Sequence, residues 1–111
     1  MKKMMNLLKS YTECVKSGDA SGMAALFAEN SEFNDEAPIK LGMQAIKVQE
    51  RKNIEVFFRE AFQGGGLEVT NVGVNGNAMR YDLKLGDKIL LCLATAEEEN
   101  NLLKKYRVIA I

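Results

Sequence analysis

The sequence predicts an α+β domain with its helices on one face of a mainly antiparallel sheet, and three observations carry that prediction. Apolar residues recur at the helical period at Met4, Leu7, Leu8, Tyr11 and Val15, and again at Ile54, Phe57, Phe58, Ala61 and Phe62. From Leu67 onward the spacing changes to alternation, punctuated by Asn75-Gly76 and Gly86-Asp87. With 111 residues the chain can bury one core and not two, so helices and strands share it in a single domain over residues 1–111.

Residues 4–17 form the first helix, because Lys9, Ser10, Glu13 and Lys16 fall opposite the apolar stripe, which points Tyr11 inward. Gly18 can take the left-handed backbone that ends a helix, and Asp19 can cap the next one by accepting from its free amides. Met23, Leu26 and Phe27 give a short second helix one apolar face, Glu29 and Asn30 mark its exit, and residues 32–35 follow as a brief strand. Residues 36–41 contain the only proline, Pro38, and precede Gly42, so they read as a loop able to rim a pocket. The third helix runs from Met43 or Gln44 to Phe62, where Gly64-Gly65-Gly66 stops it.

A strand meander completes the chain. Leu67 and Val69 alternate with Glu68 and Thr70, Val72 and Val74 resume, and Asn75-Gly76 turns the hairpin because both residues tolerate positive φ. Met79, Tyr81, Leu83 and Leu85 then alternate with Arg80, Asp82 and Lys84. Residues 88–96 differ, since Ile89, Leu91 and Leu93 face one way and Leu90, Cys92 and Ala94 the other, which requires cover on both sides. Residues 97–101, three glutamates and two asparagines, make a solvated turn before a last strand over residues 102–111. The order is α-α-β-α-β-β-β-β, and a sheet-to-sheet homodimer would cover the fourth strand's second face.

Fifteen basic and fifteen acidic residues cancel. That balance offers no electrostatic footprint for nucleic acid or an anionic membrane, so neither is an expected partner. The opening MKKMMNLL begins like a signal peptide, but Lys9, Ser10, Thr12 and Glu13 interrupt it, and no later run approaches spanning length. The expected location is cytoplasmic. Cys14 and Cys92 lie far apart without a metal-type spacing and are expected free and reduced. The chain has no histidine, which removes His-based acid-base chemistry, Ser-His and Cys-His nucleophiles and most zinc sites. No metal and no cofactor are expected.

The order of elements, together with Tyr11, Gly18-Asp19, Ala25-Leu26-Phe27-Ala28 and Phe33-Asn34-Asp35, resembles the nuclear transport factor 2-like superfamily, which includes ketosteroid isomerases and SnoaL-like cyclases. Gly42 with Ala45-Ile46 resembles the family's approach to its third helix. The resemblance implies a cystatin-like cone, three N-terminal helices packed on a curved, mainly antiparallel sheet. It further implies Asp35 as a proton-abstracting carboxylate and Tyr11 as an oxyanion donor. Where those isomerases carry a second donor, a protonated aspartate, a loose alignment places Thr95 here, and the third helix reads longer than theirs.

Each of these residues also has a plainer role open to it. Tyr11 fits a core tyrosine and Asp35 a strand-end cap for the following loop. Phe27, Phe33, Phe57, Phe58, Phe62 and Met79 either line a cavity for a flat apolar ligand or fill it. Arg80 and Asp82 match part of the Arg-x-Asp arrangement of limonene-epoxide hydrolases, but the last strand lacks that group's second aspartate, and alternation puts the pair outside the core as a surface or dimer-interface ion pair. The expectation is a dimeric domain that takes a small apolar or carbonyl-bearing ligand, either as a cofactor-free proton-transfer enzyme or as a non-enzymatic binding or association module.

Overall fold

The computed structural model describes residues 2–111, with side chains from residue 3. Helix α1 is Lys2–Ser17 and α2 is Ala20–Ala24. Strand β1 (Phe27–Asp35) leads through a 3-10 turn (Ala37–Leu41) into β2 (Ile46–Gln49) and α3 (Arg51–Ala61). Strands β3 (Glu68–Asn75), β4 (Ala78–Leu85), β5 (Lys88–Glu99) and β6 (Leu102–Ala110) follow. The α+β expectation holds, in one sheet of order β2-β1-β6-β5-β4-β3. Only β1 and β6 pair in parallel; the other neighbours are antiparallel.

Gly18 ends α1 at φ 71° and Asp19 Oδ1 accepts the Gly22 amide at 2.8 Å, as the local signals require. The hairpin between β3 and β4 turns on Gly76-Asn77, one residue later than expected, with Asn75 already paired to Ala78. Ladder irregularities in β1, β3 and β5 bend the sheet over the helices. The loop before β3 crosses the end of α1 so closely that a Cβ on Gly66 would sit 1.8 Å from the Lys16 carbonyl oxygen, while Leu67 N–H donates to Val15 O at 2.9 Å.

Three expected boundaries move. Phe27 belongs to β1 and not to α2, because the chain turns at Ala25-Leu26 and the ring then points from a strand into the core. Residues 43–50 are not helical: Ile46 and Val48, alternating with Lys47 and Gln49, pair with Asp35 and Phe33 as β2. Helix α3 accordingly starts only at Arg51, after Glu50 turns at φ 75°, so neither the longer helix nor the reading of Ala45-Ile46 as its approach survives. Glu97–Glu99 extend β5, and the turn is Asn100-Asn101, both at positive φ.

All five phenylalanines and all three tyrosines join one connected cluster beneath the helices. The inner face of β5 carries Leu90, Cys92, Ala94 and Ala96, and its small residues leave room for those rings. Its outer face is not covered within the chain: Ile89 is 62% exposed, Leu91 50% and Leu93 37%.

Candidate functional site

An apolar cavity of about 180 Å³ lies between the helices and the sheet. Helix α1 contributes Tyr11 to it, α3 contributes Phe57, Phe58 and Phe62, and Phe33 and Asp35 come from β1. Alternation along β1 explains the last two, since Ser31, Phe33 and Asp35 share the inward face and Asp35 closes the strand at the rim. Of all the lining side chains only Tyr11, Asp35 and Tyr81 are polar.

The half-buried Asp35 carboxyl accepts the Ala37 amide at 2.9 Å, so it caps the loop and faces the cavity at once. Burial pushes its pKa above the ordinary 3.8, against the lowering effect of that amide. Among the described residues no Lys or Arg forms an ion pair with it. Tyr11 is buried, stacked on Tyr106 at a ring separation of 4.3 Å and edge-on to Phe58 at 6.2 Å. Burial, then the neighbouring Tyr81 and Asp35, raises its pKa well above that of a free phenol, which keeps it a hydrogen-bond donor.

The remaining expected site residues divide. Phe33, Phe57, Phe58 and Phe62 line the cavity, whereas Phe27 and Met79 are buried in the core and do not reach it. Thr95 is on the wrong side of the sheet: it is exposed on the outer face of β5, between Ala78 and Arg107. The inward neighbour at that level is Ala94, which has no polar atom to offer. Arg80 and Asp82 are outside the core as expected but make no ion pair with each other; Asn71 Nδ2 donates to Asp82 Oδ2 at 2.6 Å, and Arg80 Nε donates to the Asn71 carbonyl oxygen at 3.4 Å.

Sequence reasoning passed over Tyr81 and Tyr106. The first was already assigned to the core face of its strand, so the available signal was a phenol on an otherwise aliphatic stripe. Tyr106 is the parallel-strand partner of Phe33 and depended on a pairing that no local pattern announces. Its Oη is buried close to the Tyr11 and Tyr81 hydroxyls without a well-formed hydrogen bond to either, and Ser31 Oγ is buried without a partner among the described residues.

Other hollows are open. One on the outer face of β5 and β6, about 380 Å³ around Thr95 and Arg107, is lined by Lys105 and Arg107, which pair with Glu32 and Glu36, and another, about 430 Å³, lies at the start of β5 against Ile89, Leu91 and Ile111. Among the described residues no group of three or more Cys, Asp or Glu is placed to hold a metal, and no helix is long and apolar enough to cross a membrane.

No protein-family model matches the chain and no curated protein matches it in sequence. Solved structures do match. A protein from Kribbella flavida described as a candidate ketosteroid isomerase superposes with a TM-score of 0.73 at 20% identity, over 99% of this chain and 78% of its own. An epoxide hydrolase of the LEH-like type from M. tuberculosis gives 0.70 at 13%, over 99% and 84%. A SnoaL-like protein of unknown function from Burkholderia thailandensis gives 0.70 at 10%, over 100% and 97%. At these identities the likeness is one of fold, and the chain has the nuclear transport factor 2-like fold, a cone of helices on a curved sheet also described as cystatin-like.

Proposed function

We propose that the chain binds a small apolar or carbonyl-bearing molecule in the cone and catalyses a cofactor-free proton transfer on it, with Asp35 as base and Tyr11 as donor. The observation that carries this reading is a half-buried carboxyl and a buried phenol meeting in one apolar cavity. The C–H bond beside a carbonyl breaks, its proton passes to an Asp35 oxygen, and the electron pair spreads onto the carbonyl oxygen, which Tyr11 stabilises by hydrogen bonding. Return of the proton to the same or another carbon closes the cycle without water, metal or redox partner. A carboxyl whose pKa is raised by burial is the better match for so weak a carbon acid.

Proton exchange at the α carbon of cyclohexanone in D2O, followed by NMR, tests the reading. Wild type accelerates exchange over buffer and Asp35→Asn returns it to the buffer rate with the fold intact. Exchange no faster than buffer, or unchanged in Asp35→Asn, overturns the assignment.

The same reading takes the protein as a cytoplasmic homodimer joined through the outer sheet face, where the exposed aliphatic stripe of β5 and a net charge of zero favour association of copies. A second reading, a ligand-binding or protein-association module without catalysis, draws on the aromatic packing that keeps the cavity small and on that same stripe.

A further inference from the structure

Two observations leave the proposed site incomplete with Tyr11 alone. Thr95 is on the outer face of the sheet, so the second donor expected from β5 is missing. Ala94, the inward residue beside it, cannot replace it. The cavity nevertheless holds a second phenol, since Tyr81 rises from β4 with its ring tilted against that of Tyr11 at a separation of 6.4 Å. Its neighbour across the ladder is Cys92, a small side chain that leaves the phenol room to face the cavity.

A third phenol stands behind these two. Tyr106 stacks on Tyr11 and is fully buried, with its hydroxyl close to those of Tyr11 and Tyr81 yet in well-formed hydrogen-bond geometry with neither, although buried hydroxyls nearly always find a partner. Burial is the main cause that holds all three protonated, joined by Tyr81 at Tyr11, by Cys92 at Tyr81 and by the other two phenols at Tyr106. If the hydrogens of Tyr11 and Tyr81 turn toward a bound oxygen, their own oxygens become free to accept, and Tyr106, stacked on Tyr11, can donate its single hydrogen to one of them, a chain that strengthens each bond in it.

Size narrows what is bound. A cavity of about 180 Å³ compares with the roughly 150 Å³ that accommodates benzene and falls short of the roughly 300 Å³ at which sites for drug-sized ligands begin.

We propose, resting on the reading of the site given above, that Tyr81 is the second donor to the ligand oxygen, that Tyr106 positions both donors from behind, and that the ligand is a single-ring compound carrying one enolisable carbonyl or phenolic oxygen.

The test uses 4-nitrophenol, a planar one-ring probe whose absorbance reports binding and the polarity around its oxygen, titrated into the full chain at pH 8, where the probe is anionic. Tyr11→Phe and Tyr81→Phe each weaken binding by about tenfold or more, as expected for a lost hydrogen bond to a charged oxygen. Thr95→Val leaves the affinity unchanged. Tyr106→Phe weakens binding and shifts the bound probe's absorbance maximum, yet raises the melting temperature of the free protein, an opposition that a merely structural role would not produce. Far-UV circular dichroism establishes that each variant is folded, and a Tyr81→Leu variant repeats the measurement if Tyr81→Phe is not.

Wild-type affinity in Tyr81→Phe with loss in Tyr11→Phe overturns the second donor while leaving the site reading in place. No binding by wild type overturns the ligand class. Asp35→Asn separates the two levels: removing a negative charge from the shared cavity tightens binding of the anionic probe, and an unchanged affinity means that Asp35 does not face the ligand, which overturns the site reading and this proposal with it.

Discussion

Asp35 is held where a carboxylate is least comfortable, with one oxygen on the Ala37 amide and the cavity's aromatic wall around it. Its pKa in the fold lies above the ordinary 3.8, so between 3.8 and the raised value the folded chain binds more protons than the unfolded one, and stability falls as pH rises through that window. Asp35→Asn removes the penalty: its urea midpoint exceeds that of wild type at pH 7, and the two converge below the ordinary carboxylate value. Equal midpoints throughout would mean that the carboxyl is solvated. The proton exchange proposed for Asp35 is expected to have the opposite sign, rising with pH as the carboxyl ionises. Tyr11 is legible because the helical stripe fixes its direction, whereas Asp35 stands out only through the family resemblance, and its inward face follows from alternation along the whole of β1, longer than the four-residue strand expected. Thr95 was misplaced because β5 is apolar on both faces, so alternation divides its residues correctly without saying which set faces inward.

At the scale of elements, the same limit explains β2. Ile46 and Val48 alternate for only four residues, too few to outweigh a helical stripe beginning shortly after, and what makes them a strand is the ladder to β1 rather than their own pattern. The Gly18 and Asp19 caps and the Gly86-Asp87 turn are legible because a glycine or an aspartate satisfies each alone, whereas the β3–β4 and β5–β6 turns shift because ladder pairing, not the turn residues, decides where each strand stops. The triple glycine stops α3, but its three members are not equivalent. Gly66 abuts the Lys16 carbonyl, whereas a Cβ on Gly64 meets nothing within 4 Å. Gly66→Ala is therefore expected to cost about 3 kcal/mol or more in chemical denaturation, since backbone must shift to admit the methyl. Gly64→Ala stays within about 0.5 kcal/mol of wild type. Equal effects would show that α1 and the loop are not pinned together there.

At the scale of the molecule, the sheet has one face committed to the cone and one left to solvent along β5. Leu91→Glu adds a charge to that outer face without touching the core, so sedimentation should show the variant as a folded monomer where wild type is a dimer; a monomeric wild type, or a variant that still associates, removes the sheet face as the interface. The pairing of β1 with β6 reaches further. About two thirds of the chain separates Phe33 from its partner Tyr106, and synthesis proceeds from the N-terminus. On the ribosome β1 emerges early with one edge vacant, and the floor on which Tyr11 stacks is the last part delivered. Neither the sheet nor the cavity can close until β6 arrives, so a nascent chain still lacking β6 carries Tyr11 and Asp35 but no cavity, together with an open strand edge that neighbouring chains can pair with.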